Sequence, residues 1–126
     1  KLEGKDVILI DDMISSGKSI LEIASLLKKR GAGKIFICTT FGLFTEGMEK
    51  FDEAYQNGIF DKLLTTNLVY QTPELLSKPY YITCDMSKYI ALIIDTLNHD
   101  MSVSHLLNPA DRIKRCVSNY MAQYEK

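Results

Sequence analysis

Short apolar runs alternate along the chain with segments whose apolar residues recur at helical spacing. Asp6 to Ile10 is a run of β-formers and predicts a strand buried on both faces. A polar loop follows. Ile20, Ile23, Ala24 and Leu27 then mark a helix; Lys28, Lys29 and Arg30 suit its negative end, and Gly31 suits the position after it. Lys34 to Thr40 reads as a second buried strand. Thr45 is placed to cap a helix from Glu46 to about Asn57, with acids in its first turn and Gly58 behind it. Asp61 to Leu68 predicts a third strand, Pro73 and Pro79 bracket an irregular piece, and Tyr80 to Cys84 predicts a fourth strand. Met86 to Asn98 predicts a helix with an apolar face of Ile90, Ile93, Ile94 and Leu97. Asn108-Pro109 is a cap followed by a proline at the first helical position, and Ile113, Val117, Met121 and Tyr124 give the stripe of a last helix.

Strands alternating with helices imply right-handed crossovers. The expected fold is α/β: a mainly parallel sheet with helices on both faces. Ligands of such sheets bind beyond the carboxyl ends of the strands, which puts the loop from Asp11 to Ser19 at the functional edge.

Composition narrows the partners. The 126 residues are the size of one domain, and a net charge of -1 provides no basic field to gather nucleic acid. Cys38, Cys84 and Cys116 show no paired spacing and read as reduced thiols, with Cys38 and Cys84 buried in strands. His99 and His105 have no cysteine pair beside them, which argues against zinc. The longest apolar run, Tyr89 to Ile94, is too short to span a membrane. No signal peptide opens the chain, so a cytoplasmic protein with no membrane partner is expected. Lys1-Leu2-Glu3-Gly4-Lys5 leads without an initiator Met straight into a strand, as in a piece cut from a longer protein.

Ser15, Ser16, Gly17, Lys18 and Ser19 lie between a strand and a helix N-terminus, where free N–H groups and the helix dipole favour an anion. Gly17 permits close backbone approach, Ser16 and Ser19 offer hydroxyls, and Lys18 adds charge. A simple N-cap would account for the serines but not for Asp11 and Asp12, two adjacent carboxylates that repel unless something satisfies them. A sugar diol does so, with a divalent cation nearby helping further. A sugar 5-phosphate therefore fits the whole stretch. Gly17-Lys18-Ser19 also matches the end of a Walker A loop, but the glycine that motif needs five residues before Gly17 is Asp12, whose charge would repel a polyphosphate.

Val7 to Ser19, with four apolar residues, two acids and a Ser/Gly turn, resembles the PRPP-binding signature of type I phosphoribosyltransferases and PRPP synthetases. Phe36 to Phe44, Leu64-Thr65-Thr66-Asn67, Cys84-Asp85-Met86-Ser87 and Ser102 to Leu107 resemble, in order, later segments of ribose-phosphate pyrophosphokinases. The resemblance runs over roughly residues 5 to 108. It implies residues 1–126 as the C-terminal part of a phosphoribosyltransferase-like domain, with 108–126 as a helical extension. It implies transfer of the β,γ-diphosphate of ATP to the 1-hydroxyl of ribose 5-phosphate, giving PRPP and AMP for nucleotide biosynthesis with Mg²⁺, in a homo-oligomer. By the same resemblance Asp11 and Asp12 hold the ribose hydroxyls, Ser15 to Ser19 hold the 5-phosphate, and Ser102 and Ser104 match positions that help bind a regulatory phosphate. No catalytic acid or base and no direct metal ligand is assigned here. ATP binding and most of the magnesium shell belong upstream of the first motif, so the fragment alone is expected to be inactive.

The sequence departs from the family at Ser15, where many relatives have Asp, at Lys18, where many have Gly, and at Leu107, where an aromatic is usual. Two alternatives stay open: a base-specific phosphoribosyltransferase, and a non-catalytic regulatory subunit related to PRPP synthetase. Of the remaining features, Phe41, Phe44, Phe51, Tyr55 and Phe60 read as a core or subunit contact, Glu46, Glu49, Asp52 and Glu53 as a solvated helix face, Tyr70 to Pro73 as a turn, and Thr65 and Asn67 as a substrate edge.

Overall fold

The β-branched and apolar runs pair into a four-stranded, all-parallel sheet: β1 (Val7–Ile14), β2 (Ile35–Gly42), β3 (Lys62–Thr66) and β4 (Tyr81–Cys84), ordered β1-β2-β3-β4. The computed structural model describes residues 2–124, the side chain of His105 excepted; the last two residues of the expected extension, 125 and 126, lie outside it. Helices α1 (Lys18–Lys29), α2 (Glu49–Gln56) and α3 (Pro73–Ser77) connect the strands. The chain forms two compact units, Lys1–Met86 and Ser87–Lys126, whereas the sequence alone suggested a boundary at 108.

Strand order decides where the core of the first unit lies. A right-handed crossover between successive neighbours always crosses the same side of the sheet. Ile20 and Ala24 of α1, Phe51 of α2 and Leu75 of α3 are accordingly buried in one cluster with Ile35, Ile37 and Leu63 of the strands. The sequence led us to expect helices on both faces; these three share one. The alternate strand residues stay outside the cluster, with Ile8 64% and Ile10 81% exposed. The expectation that β1 is buried on both faces is thereby corrected. Cys84 is exposed on the fourth strand, again contrary to expectation, while Cys38 is half-buried. Burial pushes the Cys38 thiol up, and Cys84 adds to this.

Several boundaries differ for local reasons. β1 runs through Asp11 and Asp12 to Ile14, because Met13 and Ile14 stay in register with Phe41 and Gly42. The acids therefore sit in the strand rather than in the loop. Thr45 does not cap α2, which starts at Glu49; Phe44 (φ 46°) and Gly47 (φ 78°) are left-handed and hold residues 44–47 out of the helix. The piece between the prolines is not irregular. Thr72 accepts from the Leu75 N–H at 3.2 Å and Pro73 takes the first turn of α3.

The second unit contains α4 (Ser87–Asn98), a single turn α5 (Ser104–Leu107) and α6 (Ala110–Tyr124). Asn108 caps α6 as expected, accepting from the Ala110 N–H at 3.1 Å. Tyr89 Oη and Arg112 Nη2 both donate to the Leu106 carbonyl, at 2.8 and 2.6 Å, and the guanidinium lies 4.9 Å from the Tyr89 ring centroid. No helix among the described residues is long and apolar enough to cross a membrane.

Candidate functional site

β1 ends where α1 begins, and the turn between them closes a small cavity of about 180 Å³. It is lined by Asp11, Met13, Ile14, Ser15, Ser16, Gly17, Lys18, Ser19 and Ile20. Six of the seven residues expected to hold a sugar phosphate are thus brought together. Asp12 is not in that lining; its backbone N–H donates to Asp11 Oδ1 at 2.8 Å. Asp11 also borders a shallow hollow of about 190 Å³ over the strand ends, with Ile10, Cys38, Thr39, Thr40, Leu64 and Cys84. One carboxylate therefore stands between a polar cavity and an apolar hollow.

The turn is held from three sides. Gly17 is left-handed (φ 80°) and precedes α1, and no side chain caps this helix. The Lys18 N–H donates to Ser16 Oγ at 3.4 Å; the other first-turn N–H groups of this twelve-residue helix meet no side chain and can take an outside acceptor, with the dipole behind them. Gly17 also rests on the ring of buried Phe51, where a Cβ would overlap the ring atoms. The Ser15 hydroxyl lies 3.2 Å from that of Thr45, and the Thr45 N–H donates to the Ser15 carbonyl at 3.0 Å. Leu43 N–H donates to the Ile14 carbonyl at 2.9 Å. Lys18 is exposed at the rim. Thr45 and Phe51 were legible in sequence only as a cap and an aromatic; their support of the turn depends on how β2 returns.

Other expectations separate from this cavity. Thr65 is 1% exposed, its hydroxyl 2.5 Å from that of Tyr81, so it forms no substrate edge. Asn67 Nδ2 donates to Asp85 Oδ1 and the Met86 N–H donates to Asn67 Oδ1, each at 2.8 Å, tying the ends of β3 and β4. Thr39, paired with Asp11 in the sheet, is buried, and its hydroxyl has no hydrogen-bond partner among the described residues. Ser102 and Ser104, in the second unit, face each other at 2.9 Å, and Ser102 Oγ accepts from the Ser104 N–H. Among the described residues no group of three or more His, Cys, Asp or Glu could hold a metal ion.

Asp52 is not part of a merely solvated face. It accepts from Lys78 Nζ at 2.6 Å and from Tyr80 Oη at 2.7 Å. Burial pushes its carboxyl up, but these two hydrogen bonds outweigh it and hold the pKa below the usual carboxylate value. Tyr80, missed in the sequence, joins Phe60 and Tyr55 in ring contacts at 5.2 and 4.9 Å. Phe44, Phe51 and Phe60 continue that cluster, whereas Phe41 is 38% exposed.

Comparison with known proteins matches residues 1–108 to a family described as phosphoribosyl synthetase-associated domain. A ribose-phosphate pyrophosphokinase of Vibrio parahaemolyticus is 26% identical over 107 residues, which cover 85% of this chain and 33% of that protein. Ribose-phosphate pyrophosphokinase 2, chloroplastic, of Oryza sativa is 31% identical over 105 residues, covering 83% of this chain and 25% of that one. The phosphoribosylpyrophosphate synthetase of Mycobacterium smegmatis superposes with a TM-score of 0.68 at 23% identity, over 79% of this chain and 32% of that structure, and shares the fold. The chain spans about a third of the length of the first of these relatives.

Proposed function

The chain belongs to the phosphoribosyl synthetase-associated domain family, and on that premise we propose that it forms the ribose 5-phosphate-binding part of a ribose-phosphate pyrophosphokinase. The observation that carries this is the cavity where Asp11 meets Ser15 to Ser19 at an uncapped helix N-terminus. An anion suits the open N–H groups, the serine hydroxyls and Lys18. A carboxylate a few residues away suits a hydroxylated ring attached to that anion. A sugar phosphate has both parts in one molecule. The proposed reaction moves the β,γ-diphosphate of ATP to the 1-hydroxyl of ribose 5-phosphate, giving PRPP and AMP.

In such a transfer the contribution of these residues is positioning. Fixing the phosphate at the turn and the ring hydroxyls at Asp11, with Asp12 alongside, holds the 1-hydroxyl in one place for in-line attack. No residue of the cavity needs to exchange a proton. Mg²⁺ supplies charge neutralisation in this chemistry. It commonly takes one or two carboxylates plus substrate phosphates; of this chain's residues Asp11 alone stands at the cavity to contribute to such a set. A regulatory phosphate at Ser102 and Ser104 is a weaker proposal, since those hydroxyls already bond each other.

Calorimetric titration with ribose 5-phosphate tests the reading. We expect weak saturable binding, competition by inorganic phosphate, and at least tenfold weaker binding in the Asp11→Asn, Asp12→Asn double variant. Unchanged affinity in that variant overturns the site. Release of AMP from ATP and ribose 5-phosphate by the full-length protein separates a pyrophosphokinase from a non-catalytic relative or a base-specific transferase.

A further inference from the structure

Polar residues stand in register across the whole sheet, one from each strand: Asp11, Thr39, Thr65 and Thr83. Registered neighbours on adjacent strands lie about 4.8 Å apart, so each side chain has the next in the row within reach. The β3–β4 half of the row is hydrogen-bonded throughout. Thr83 Oγ1 donates to Gln71 Oε1 at 3.4 Å, and Gln71 Nε2 donates to Tyr81 Oη at 2.5 Å. Thr65 Oγ1 donates to the Thr66 carbonyl at 3.3 Å. That uses the hydroxyl hydrogen of Thr65, so across their 2.5 Å contact the Tyr81 phenol donates to Thr65. The network stops there. Thr39 comes next, 6% exposed, and its hydroxyl has no partner among the described residues. A buried hydroxyl left unpaired costs stability. On the other side of Thr39, Asp11 is exposed and engages the Asp12 N–H through Oδ1. Thr39 and Asp11 border the same hollow over the strand ends.

We propose that Thr39 is a positioning residue for Asp11: its hydroxyl donates to the Asp11 carboxylate and holds it in the rotamer that receives the ring hydroxyls of a sugar phosphate. The inference rests on the proposed function, which gives Asp11 the sugar. One carboxylate oxygen turned to Thr39 leaves the other for the ligand. Asp11 is a better acceptor than Thr65, because a carboxylate takes a stronger hydrogen bond than a hydroxyl. It is also exposed and able to turn, whereas Thr65 is 1% exposed and held by Tyr81. The Thr39 hydroxyl is too deeply buried to meet a ligand itself, so it acts through its neighbour. Asp11 then has two rotamers, one closed on the Asp12 N–H and one turned to Thr39. The second is a minor state of the free chain and becomes dominant when a sugar phosphate binds. The unpaired hydroxyl therefore weakens the free fold and is satisfied in the complex.

Thr39→Val and Thr39→Ser in the full chain test this by urea unfolding and calorimetric titration. Val keeps the shape and removes the hydroxyl; Ser keeps the hydroxyl and removes a methyl. Thr39→Val should unfold at the same or a higher urea concentration than the parent, yet bind ribose 5-phosphate roughly three- to tenfold more weakly. Thr39→Ser should unfold earlier, from the lost methyl, and bind within about twofold of the parent. Inorganic phosphate, which needs only the turn, should bind parent and variants alike. A merely structural role ranks the variants the same way in unfolding and in binding, and that ranking overturns the proposal. Unchanged ribose 5-phosphate affinity in Thr39→Val overturns it too, as does an equal loss of phosphate binding. The Asp11 rotamers are read separately by NMR, from its three-bond Hα–Hβ couplings in the free chain. Thr39→Val should shift these couplings and Thr39→Ser should not; couplings indifferent to Thr39→Val overturn the positioning role. A parent that takes no ribose 5-phosphate overturns the proposed function instead, and the couplings then decide whether Thr39 positions Asp11.

Discussion

The two faces of the sheet are made from the same strands and the same kinds of residue, yet they end in different environments. On one face Ile35, Ile37 and Leu63 are fully buried; on the other Ile8 is 64%, Ile10 81% and Ile82 41% exposed. The side chains do not differ in hydrophobicity, so composition cannot account for this. Topology does. Consecutive parallel neighbours joined by right-handed crossovers send every connection over one side. The lesson is that an apolar strand reports how readily a residue can be buried, while strand order reports whether anything arrives to bury it.

Four substitutions put that comparison to work. Leu63→Ala on the filled face should lose the most stability, roughly 2–5 kcal/mol in urea unfolding, from lost burial and an unfilled cavity. Gly17→Ala should cost about 1–3 kcal/mol, because a Cβ at φ 80° overlaps the Phe51 ring on that same face. It should also weaken ribose 5-phosphate binding in the titration by at least tenfold. Asp52→Asn, which loosens α2 from Lys78 and Tyr80, should cost roughly 1–2 kcal/mol near pH 7, a figure reduced by the partial exposure of the pair. Because the folded Asp52 pKa is depressed, its contribution is present above the unfolded carboxylate pKa of about 4 and fades as pH falls through the lower folded value. The Asn variant should therefore lose the corresponding part of the acid limb of a stability–pH profile. Ile10→Thr on the bare face should change stability by less than about 0.5 kcal/mol. A loss there as large as that of Leu63→Ala would break the comparison.

Much of this was legible in the residues. Four strand runs and the amphipathic helices between them are elements whose period is strong, and the observed parallel α/β sheet follows from their alternation. Asp11 and Ser15 to Ser19, singled out as a strand-to-helix turn, do line one cavity. What was not legible depends on contacts far apart in sequence. That Asp11 and Asp12 belong to β1 follows from register with Phe41 and Gly42. Asp52 looked like one acid among four on a wet helix, and only Lys78 and Tyr80, 26 and 28 residues away, give it a different role. Thr45 offered a good cap, but left-handed Phe44 and Gly47 take the backbone elsewhere.

Positions 17 and 51 behave as an epistatic pair. A side chain at 17 is excluded by the Phe51 ring, and a smaller residue at 51 opens a void under the turn while 17 remains glycine. Either single step is harmful, so a lineage can pass between the two states only by crossing a valley or by changing both together. The turn between β1 and α1 therefore cannot drift independently of the core. Relatives that carry a larger residue at 17 should carry a smaller one at 51.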